Sequence, residues 1–405
     1  MNSGTLRVSV FSPTNGRPSP GTAVSIRNSV GDIIYAGTTD REGKLPEITI
    51  PAPPEEISLT PPGSGNESPD RPYSLCDLTA VSDSGNMTEV TGIQIYSDTS
   101  ALLSVILPGQ SSDINIPAPS ILGETEEKIP ENEVKPVPPP TGSVVLPQPV
   151  VPETIIVHDG VPTDSSAKNY YIGFSDYIKN VASSEIFATW PKEALRANII
   201  AIISFTLNRV YTEWYRGKGY NFTITSSTAF DQSFVYGRNI FSEISEIVDE
   251  IFNLYIVRQG IDQPLFAQYC DGIRVKRSGW LSQWGSKELA DRGLSALSIL
   301  RNYYGRDISL RAADKVEGIP VSFSGTISRG ARGQNVRVIQ RQLNRIADNF
   351  PLIPKLSVDG IYGSKTAGSV RTFQQIFNMP QSGTVDFATW YRISDVYVAV
   401  TGLSG

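Results

Sequence analysis

A proline-rich stretch near the middle of the chain limits the possible folds more than any other feature. Residues 111–152 hold ten prolines, three of them in succession at 138–140, and an acidic cluster at 124–127. Proline lacks a backbone N–H and fixes φ, so a segment this rich in it interrupts helices and sheets alike. Such a segment cannot bury enough apolar surface to fold. We expect an extended, protease-sensitive tether between separate domains.

Composition narrows the classes of function. The 405 residues leave room for about two to four domains. A net charge of −6 gives no electrostatic reason to expect nucleic acid or an anionic membrane as a partner. Cys76 and Cys270 form no CxxC pair, so a disulfide scaffold or zinc finger is unsupported. The one histidine, His158, excludes sites that need two, and its alternating strand favours a structural role. We expect no metal and no cofactor.

Neither a leader nor a membrane span is expected. The N-terminal sequence MNSGTLRVSV has no basic or apolar signal-peptide region. The most apolar segment covers only residues 197–208 and is flanked by Arg196 and Arg209. Because a span needs about twenty apolar residues, this segment is predicted to be a buried core helix.

Residue patterns divide the chain into four parts. In residues 1–109, short β-branched runs alternate with turn formers, which predicts a small antiparallel β-sandwich. The turn GTTDREGKL between strands resembles the carboxypeptidase-regulatory type of immunoglobulin-like module. Residues 110–152 are the proline-rich linker. Residues 153–318 mix helix and strand signals and predict an α+β domain, and residues 326–400 predict a compact domain of three helices.

One glutamate breaks an apolar pattern at the start of the α+β domain. Ile178, Val181, Ala182 and Glu185 have the spacing i, i+3, i+4 and i+7, which places them on one stripe of a helix. A carboxyl buried beside apolar groups is harder to ionise and can stay protonated near neutral pH. Glu185 is therefore a candidate general acid. From the spacing alone, a partly exposed glutamate or a buried one paired with an arginine is the favoured interpretation.

The sequence around this glutamate resembles the stage II sporulation protein D family, SpoIID. The resemblance lies in YIKNVASSEIFATWPKEALRANIIAIISFTLN, in FAQYCDG, and in GWLSQWGSKELADRGLSALSILRNYYG. The family usually carries Gly-His-Gly before Ser-Gln-Trp-Gly, whereas this chain reads KRSGWLSQWG, and Ile186 replaces the methionine after the glutamate. A metal bound by histidine and cysteine, as in some members, is therefore not expected.

The resemblance implies an α+β domain with lytic transglycosylase activity. Such an enzyme cleaves peptidoglycan between N-acetylmuramic acid and N-acetylglucosamine and needs a single acid, for which Glu185 is the match. Contact with substrate is hypothesised for Ser282, Gln283 and Trp284, with Trp284 equally consistent with the core, and for Tyr269 and Asp271, which flank Cys270. Cys270 itself is expected to be a small buried apolar residue.

The last part of the chain resembles the three-helix peptidoglycan-binding domain of cell-wall hydrolases. The matching stretches are RGQNVRVIQRQLN, DGIYGSKT, the pair Phe373-Gln374, and SGTVDFATW. Most of these residues are expected to form turns and a small core. Exposed polar residues near Asp359 and Tyr362 are a hypothesis for glycan contact.

The order of the four parts resembles the spore cortex-lytic enzymes of clostridia, the SleC type. That family implies a precursor whose N-terminal region is removed by a subtilisin-like protease, here by a cut at 148–151, and action on cortex peptidoglycan in the spore. The absent signal peptide fits deposition from the mother cell. Two alternatives stay open: a non-catalytic wall-binding protein and a phage-type lysin.

Overall fold

The computed structural model describes residues 2–12, 17–62, 71–107, 111–122, 128–133, 135, 149–313, 316 and 325–401. Two features of the proline-rich segment lie outside the described residues: the acidic cluster at 124–127 and the proline run at 138–140. Lys128, which follows the cluster, is described.

Short strands form the N-terminal part, as the alternating pattern predicts. They are β1 (Ser3–Phe11), β2 (Ala23–Asn28), β3 (Ile33–Thr38), β4 (Ile48–Pro51), β5 (Ser74–Val81), β6 (Met87–Ile95), β7 (Ser100–Ile106) and β8 (Ser112–Asn115), with one short helix, α1 (Glu55–Leu59). Their inward-facing residues, such as Leu6, Ile26 and Leu78, are fully buried. The β-rich fold of this part is confirmed.

Two features of these sheets differ from the simple antiparallel arrangement predicted. The strand orders are β4-β1-β7-β12 and β3-β2-β5-β6-β8, where β12 (Ile240–Phe241) belongs to the next domain. Pairs β1–β7 and β6–β8 are parallel. The antiparallel prediction is wrong for these two pairs because strands distant in sequence complete both sheets.

The N-terminal sheet docks on the middle domain through hydrogen bonds as well as apolar contact. Phe241 is fully buried, and its ring lies 5.1 Å from the ring of Tyr96, edge to face. Arg238 Nη2 donates to Gln94 Oε1 at 2.7 Å, and Asn239 Nδ2 donates to the Gln94 carbonyl at 3.2 Å. The two domains therefore share one buried interface.

The described part of the proline-rich segment is not a free tether. Residues 112–115 are strand β8 in the N-terminal sheet. Ile116, Ile121 and Lys135 are all buried. The predicted free tether is wrong for these residues because backbone and side-chain bonds to both neighbouring domains hold the segment against the protein. The domain boundaries themselves stay a prediction.

Helices and short strands alternate in the middle domain. They are β9 (Thr154–His158), β10 (Asn169–Gly173), α2 (Phe174–Glu185), α3 (Lys192–Tyr211), β11 (Ile224–Thr225), β12, α4 (Ser242–Ile251), β13 (Leu254–Arg258), β14 (Tyr269–Cys270), β15 (Leu281–Ser282), α5 (Gln283–Asp291), α6 (Ala296–Tyr304) and β16 (Ile308–Ala312). The mixed α/β character predicted for this part is confirmed.

Helix α3 forms the centre of the middle domain. It is apolar on all sides, and Ala197, Ile199 and Ile203 are fully buried, as expected of a core helix. Pro191, with ψ 140°, directly precedes it, and proline is suited to a helix start because its missing N–H would have no partner there. Helices α2, α4, α5 and α6 all contact α3. Within the described ranges, no helix combines the length and apolar character needed to cross a membrane.

Three helices form the C-terminal domain: α7 (Gln334–Ile346), α8 (Ser364–Ile376) and α9 (Phe387–Thr401). Leu343, Phe373 and Trp390 are fully buried and form its core. This domain touches the β-rich domain, where Glu42 Oε1 accepts from the Leu352 N–H at 3.2 Å. The three-helix prediction is confirmed.

We predict that Phe241→Ala lowers the free energy of unfolding of the full chain by about 3–5 kcal/mol. The substitution removes a fully buried ring at the interface and leaves a cavity beside Tyr96. Chemical denaturation followed by circular dichroism measures the change. Tyr171→Ala is the control, because Tyr171 is 71 % exposed and should change stability by less than about 0.5 kcal/mol. Equal effects of both variants would contradict the docking interface.

Candidate active site

Glu185 is the last residue of helix α2 and is 1 % exposed. The helix ends there because Ile186 takes an extended conformation, with φ −132° and ψ 159°. Ile178, Val181 and Ala182, its partners on the stripe, are fully buried. The burial predicted from the spacing is therefore observed.

The two carboxyl oxygens of Glu185 have different surroundings. Oε1 accepts a hydrogen bond from the backbone N–H of Ser233 at 2.8 Å. Oε2 faces the side-chain amide of Gln283, with Nε2 at 3.5 Å. Both neighbours are donors, but the bond to Oε1 is much the shorter, so a proton on the carboxyl is best placed on Oε2.

Burial raises the pKa of Glu185, while the Lys128 ammonium, the Ser233 N–H and the Tyr269 hydroxyl act in the opposite direction. The net direction is upward, because removal from water disfavours the charged form. A position at the C-terminal end of a helix disfavours negative charge as well. The carboxyl is therefore held toward the protonated form that a general acid needs.

Lys128 reaches the site from the proline-rich segment. Its Nζ is buried, finds no hydrogen-bond partner among the described residues, and lies 3.6 Å from the centre of the Tyr269 ring. Burial lowers the pKa of Lys128, with the charge of Glu185 acting in the opposite direction. Among the described residues, the contact that holds the ammonium is the cation–π contact with the Tyr269 ring.

A cavity of about 40 Å³ lies against Glu185. Its lining residues are Ser120, Lys128, Glu185, Thr228, Tyr269, Cys270, Asp271, Val275, Trp280 and Gln283. Ligand cavities commonly measure about 300–1,000 Å³. As it stands, the cavity is too small for a sugar ring.

A larger cavity lies elsewhere in the middle domain. It measures about 240 Å³, and Val150, Pro152, Arg209 and Trp214 are part of its lining. It has no lining residue in common with the cavity at Glu185.

Three of the five residues predicted to contact substrate line the cavity at Glu185: Tyr269, Asp271 and Gln283. The Tyr269 hydroxyl is buried beside the Glu185 carboxyl. Burial raises the pKa of Tyr269, the Glu185 charge and carboxyl act in the same direction, and Gln232 acts in the opposite direction.

Ser282 and Trp284 are not among the described residues that line this cavity. Ser282 is the N-cap of α5, where its Oγ accepts from the Gly285 N–H at 2.9 Å. Trp284 packs against Trp190, with ring centres 4.9 Å apart. These contacts are structural, and substrate binding by the two residues stays a prediction.

Asp271 is the other carboxylate among the described lining residues. Its Oδ1 accepts from the Ile273 and Val275 N–H groups at 3.0 and 2.9 Å, and its Oδ2 accepts from Arg274 Nε at 2.7 Å. Burial alone would raise the pKa of Asp271, but these bonds outweigh it and the pKa is lowered. Asp271 is therefore ionised and already fixed in a turn.

Neither Cys270 nor His158 belongs to a metal-binding group. Burial raises the pKa of the Cys270 thiol. His158 stacks on Phe222 at 4.4 Å, and its Nδ1 bonds to Asn169 Oδ1 at 2.9 Å. Across the described residues, no group of three or more His, Cys, Asp and Glu side chains is arranged to hold a metal ion.

Sequence reasoning missed Lys128, Ser120 and Trp280 in the lining of the cavity. Lys128 and Ser120 belong to the segment interpreted as a tether, whose composition gives no signal for burial. Trp280 lies two positions before the Ser-Gln-Trp-Gly motif, with Leu281 between them. This proximity to the motif is the sequence signal that could have identified it.

In the C-terminal domain, Asp359 and Tyr362 differ in environment. Tyr362 is fully buried, and its hydroxyl donates to the Gly383 carbonyl at 3.0 Å. Asp359 is exposed, and its Oδ1 accepts from Gln340 Nε2 at 2.8 Å. Tyr362 is therefore part of the core, and glycan contact near Asp359 stays a prediction.

Two protein families match parts of the chain. Residues 165–250 match the stage II sporulation protein family, SpoIID. Residues 332–393 match the family described as "Putative peptidoglycan binding domain". The chain therefore carries a SpoIID domain, which includes Glu185, and a C-terminal peptidoglycan-binding domain. Together they support degradation or binding of the cell wall, in a sporulation context.

Comparison with whole proteins adds little. No curated protein matches the chain. Transthyretin from Sparus aurata is 14 % identical over 26 % of this chain and 90 % of its own, with a TM-score of 0.18. Klebsiella pneumoniae 5-hydroxyisourate hydrolase is 17 % identical over 26 % of this chain and 92 % of its own, also with a TM-score of 0.18. At these scores the likenesses assign nothing to this chain.

We predict that Lys128→Met raises the pKa of Glu185 further. The charged and titratable groups that act on this carboxyl are Lys128, Tyr269 and Tyr177, and Lys128 is the cation that lowers its pKa. Carboxyl bands in infrared titrations, with Glu185→Gln subtracted, measure the change. The exposed Lys168→Met is the control. A lowered pKa in the Lys128 variant would contradict this account of the site's electrostatics.

Proposed function

We propose that the chain is a peptidoglycan lytic transglycosylase that cleaves the bond between N-acetylmuramic acid and N-acetylglucosamine in spore cortex during germination. The observation that supports this most is the Glu185 carboxyl, which is buried, has a raised pKa and lines a cavity. A glycosidic oxygen leaves readily only if it is protonated as its bond to carbon breaks.

In the first step, the proton on Glu185 Oε2 passes to the glycosidic oxygen, and the bond from the muramyl C1 to that oxygen breaks. The released sugar leaves with the proton as a hydroxyl group. In the second step, the Glu185 carboxylate removes the proton from the muramyl C6 hydroxyl, whose oxygen bonds to C1. The product is a 1,6-anhydro sugar, no water is consumed, and the acid is regenerated.

Other lining residues would assist by binding the sugar. Gln283 offers its amide beside Oε2, and the Tyr269 hydroxyl faces the same carboxyl. We assign Gln283 and Tyr269 to substrate binding on this basis. The substrate contacts predicted for Asp271, Ser282 and Trp284 are kept as weaker proposals, because the side chains of Asp271 and Ser282 are engaged in turns and a helix cap and Trp284 packs in the core.

We further propose that the chain is made as a precursor and is activated when a subtilisin-like protease cuts near residues 148–151. Gln148 lies outside the described residues. Val150 and Val151 are 4 % and 1 % exposed, and Val151 bridges to Val316. A protease needs an extended, accessible strand, so the favoured cut lies on the N-terminal side of Val150. The spore is the proposed location.

Three alternatives remain testable. A hydrolase would need a second carboxylate, and Asp271 lines the same cavity. A wall-binding protein without activity would use the β-sandwich and the C-terminal domain as adhesion modules. The buried Glu185 with its raised pKa disfavours this alternative, because an ionisable residue without a function is costly to bury. A phage-type lysin would share the proposed chemistry.

We predict that Glu185→Gln lowers the rate of fragment release from purified spore cortex by about 100-fold or more. The amide has nearly the same size as the carboxyl and keeps an oxygen that accepts from the Ser233 N–H. Its N–H protons are not acidic enough to protonate the glycosidic oxygen. The substrate is purified cortex, and the enzyme is the full chain after cutting at a protease site introduced within residues 141–147. The rate is measured from the soluble muropeptides released.

Glu193→Gln is the matched control. Glu193 is in the same sequence motif, but its side chain is 43 % exposed and its Oε2 accepts from the Ala296 N–H at 2.6 Å. This variant should keep activity within about a factor of two of the wild type, in line with the small effect of surface substitutions. Equal losses in both variants, or full activity of Glu185→Gln, would contradict the role of Glu185.

The precursor proposal predicts at least about a tenfold higher rate of fragment release after the full chain is cut within residues 141–147. The uncut chain with the same introduced site is the control. Gel electrophoresis confirms that the cut is complete, and the same muropeptide assay gives both rates. If the cut and uncut chains are equally active, no precursor mechanism operates.

A further inference from the structure

Residues 128–133 and Lys135, here called the strap, run along the surface of the middle domain beside Glu185. The Ile129 N–H donates to the Ala229 carbonyl at 2.9 Å, and the Glu131 N–H donates to Gln268 Oε1 at 3.3 Å. Each bond joins the strap's backbone to a group of the middle domain. The strap therefore lies where an extended ligand of the middle domain could lie.

Glutamine side chains bind the strap at both ends. Gln268 Nε2 donates to the Ile129 carbonyl at 3.2 Å. Gln263 Oε1 accepts from the Lys135 N–H at 2.7 Å, and its Nε2 donates to the Lys135 carbonyl at 3.0 Å. A side-chain amide can donate and accept, so once the strap leaves, the same groups can bond to hydroxyl and acetamido groups of a glycan.

Ion pairs hold the middle of the strap. Glu131 accepts from Arg209 Nη1 and Nη2 at 3.0 and 2.7 Å, in a two-pronged pair. Glu133 Oε2 accepts from Arg258 Nη2 at 2.6 Å. Arg209 is fully buried, so the first pair is protected from solvent and less weakened by salt than a surface pair.

The first residue of the strap lines the cavity at Glu185. Lys128 contributes its side chain to the lining, and what remains is about 40 Å³, far below the volume of a sugar site. The ammonium lies on the Tyr269 ring and has no hydrogen-bond partner among the described residues. With this side chain in place, Glu185 is 1 % exposed.

Burial of Lys128 is costly, which makes the closure reversible. An ammonium that is buried with no hydrogen-bond partner among the described residues loses solvation that a cation–π contact offsets only in part. The strap continues on its N-terminal side to strand β8 and on its C-terminal side to Val150 and Val151. This double attachment keeps it at a high effective concentration, and a cut between residues 135 and 150 removes one of the two attachments.

We propose that the strap is an autoinhibitory segment that occupies the glycan-binding surface and keeps Glu185 closed to substrate through Lys128. This inference rests on the proposed function and explains how a single cut after the strap would activate the site. It assigns Gln263 and Gln268 to the surface that the glycan takes over when the strap leaves.

The test measures opening of the cavity without relying on activity. Cys270 lines the cavity, and Cys76, the other cysteine of the chain, is fully buried in the β-rich domain, where burial raises its pKa to about 12. Iodoacetamide labelling of the full chain, located by peptide mass spectrometry, therefore reports on Cys270 with Cys76 as the internal reference.

We predict that uncut Lys128→Ala is labelled at Cys270 at least about tenfold faster than uncut wild type. Removing the side chain gives the reagent and water access, and the renewed solvation that lowers the pKa of the thiol is expected to outweigh the loss of the Lys128 charge, since that charge also lowers the pKa. Lys168→Ala, which removes an exposed charge, should match the wild type. Labelling of Cys76 should stay slow in every variant.

Equal labelling of Cys270 in wild type and Lys128→Ala would overturn the strap proposal, whatever the enzyme's activity. Faster labelling together with fragment release by uncut Lys128→Ala would support both proposals. Faster labelling with no fragments from the cut wild-type chain would leave the strap established as a closure and contradict the proposed function. A rise in Cys76 labelling that equals the rise at Cys270 would indicate general unfolding and also overturn the proposal.

Discussion

Removal of the Glu185 carboxyl from water is the constraint on which the rest of the structure depends. Helix α2 delivers the residue at its C-terminal end, and apolar neighbours on the same helix exclude solvent. The Ser233 N–H fixes one oxygen and leaves the other toward Gln283. Desolvation then raises the pKa of the carboxyl more than Lys128 and the hydrogen bonds lower it. One side chain thereby gains the protonation state that glycosidic cleavage needs.

Because Glu185 is buried, the proposed mechanism needs an element that opens the site to substrate. We propose the proline-rich segment for this role, because its described part packs on the middle domain instead of extending into solvent. The Glu131–Arg209 pair fixes the strap, whereas Lys128 is buried with no hydrogen-bond partner in the part of the chain that the structure describes. The β-rich domain adds a shared sheet through β12, which joins the N-terminal part to the middle domain.

Local patterns were sufficient to predict the elements that carry the site. The i, i+3, i+4, i+7 spacing predicted the burial of Glu185, and the continuous apolar run predicted α3 as a core helix. Contacts between residues distant in sequence were not predictable in this way. Nothing in the composition around Lys128 indicates that it meets Tyr269, and nothing near Phe241 indicates that it extends a sheet of the preceding domain. Such pairings depend on how the domains dock, and the hydrophobic periodicity of a sequence carries no information about docking.

Product chemistry tests the central claim most directly, because it separates a single-acid mechanism from one that uses a second carboxylate. Fragments released from spore cortex by the cut wild-type chain would be separated and weighed by mass spectrometry. Our account predicts muramyl ends in the 1,6-anhydro form, since the sugar's own C6 hydroxyl replaces water. Reducing ends, each heavier by one water, would contradict it and turn attention to Asp271 as the second carboxylate.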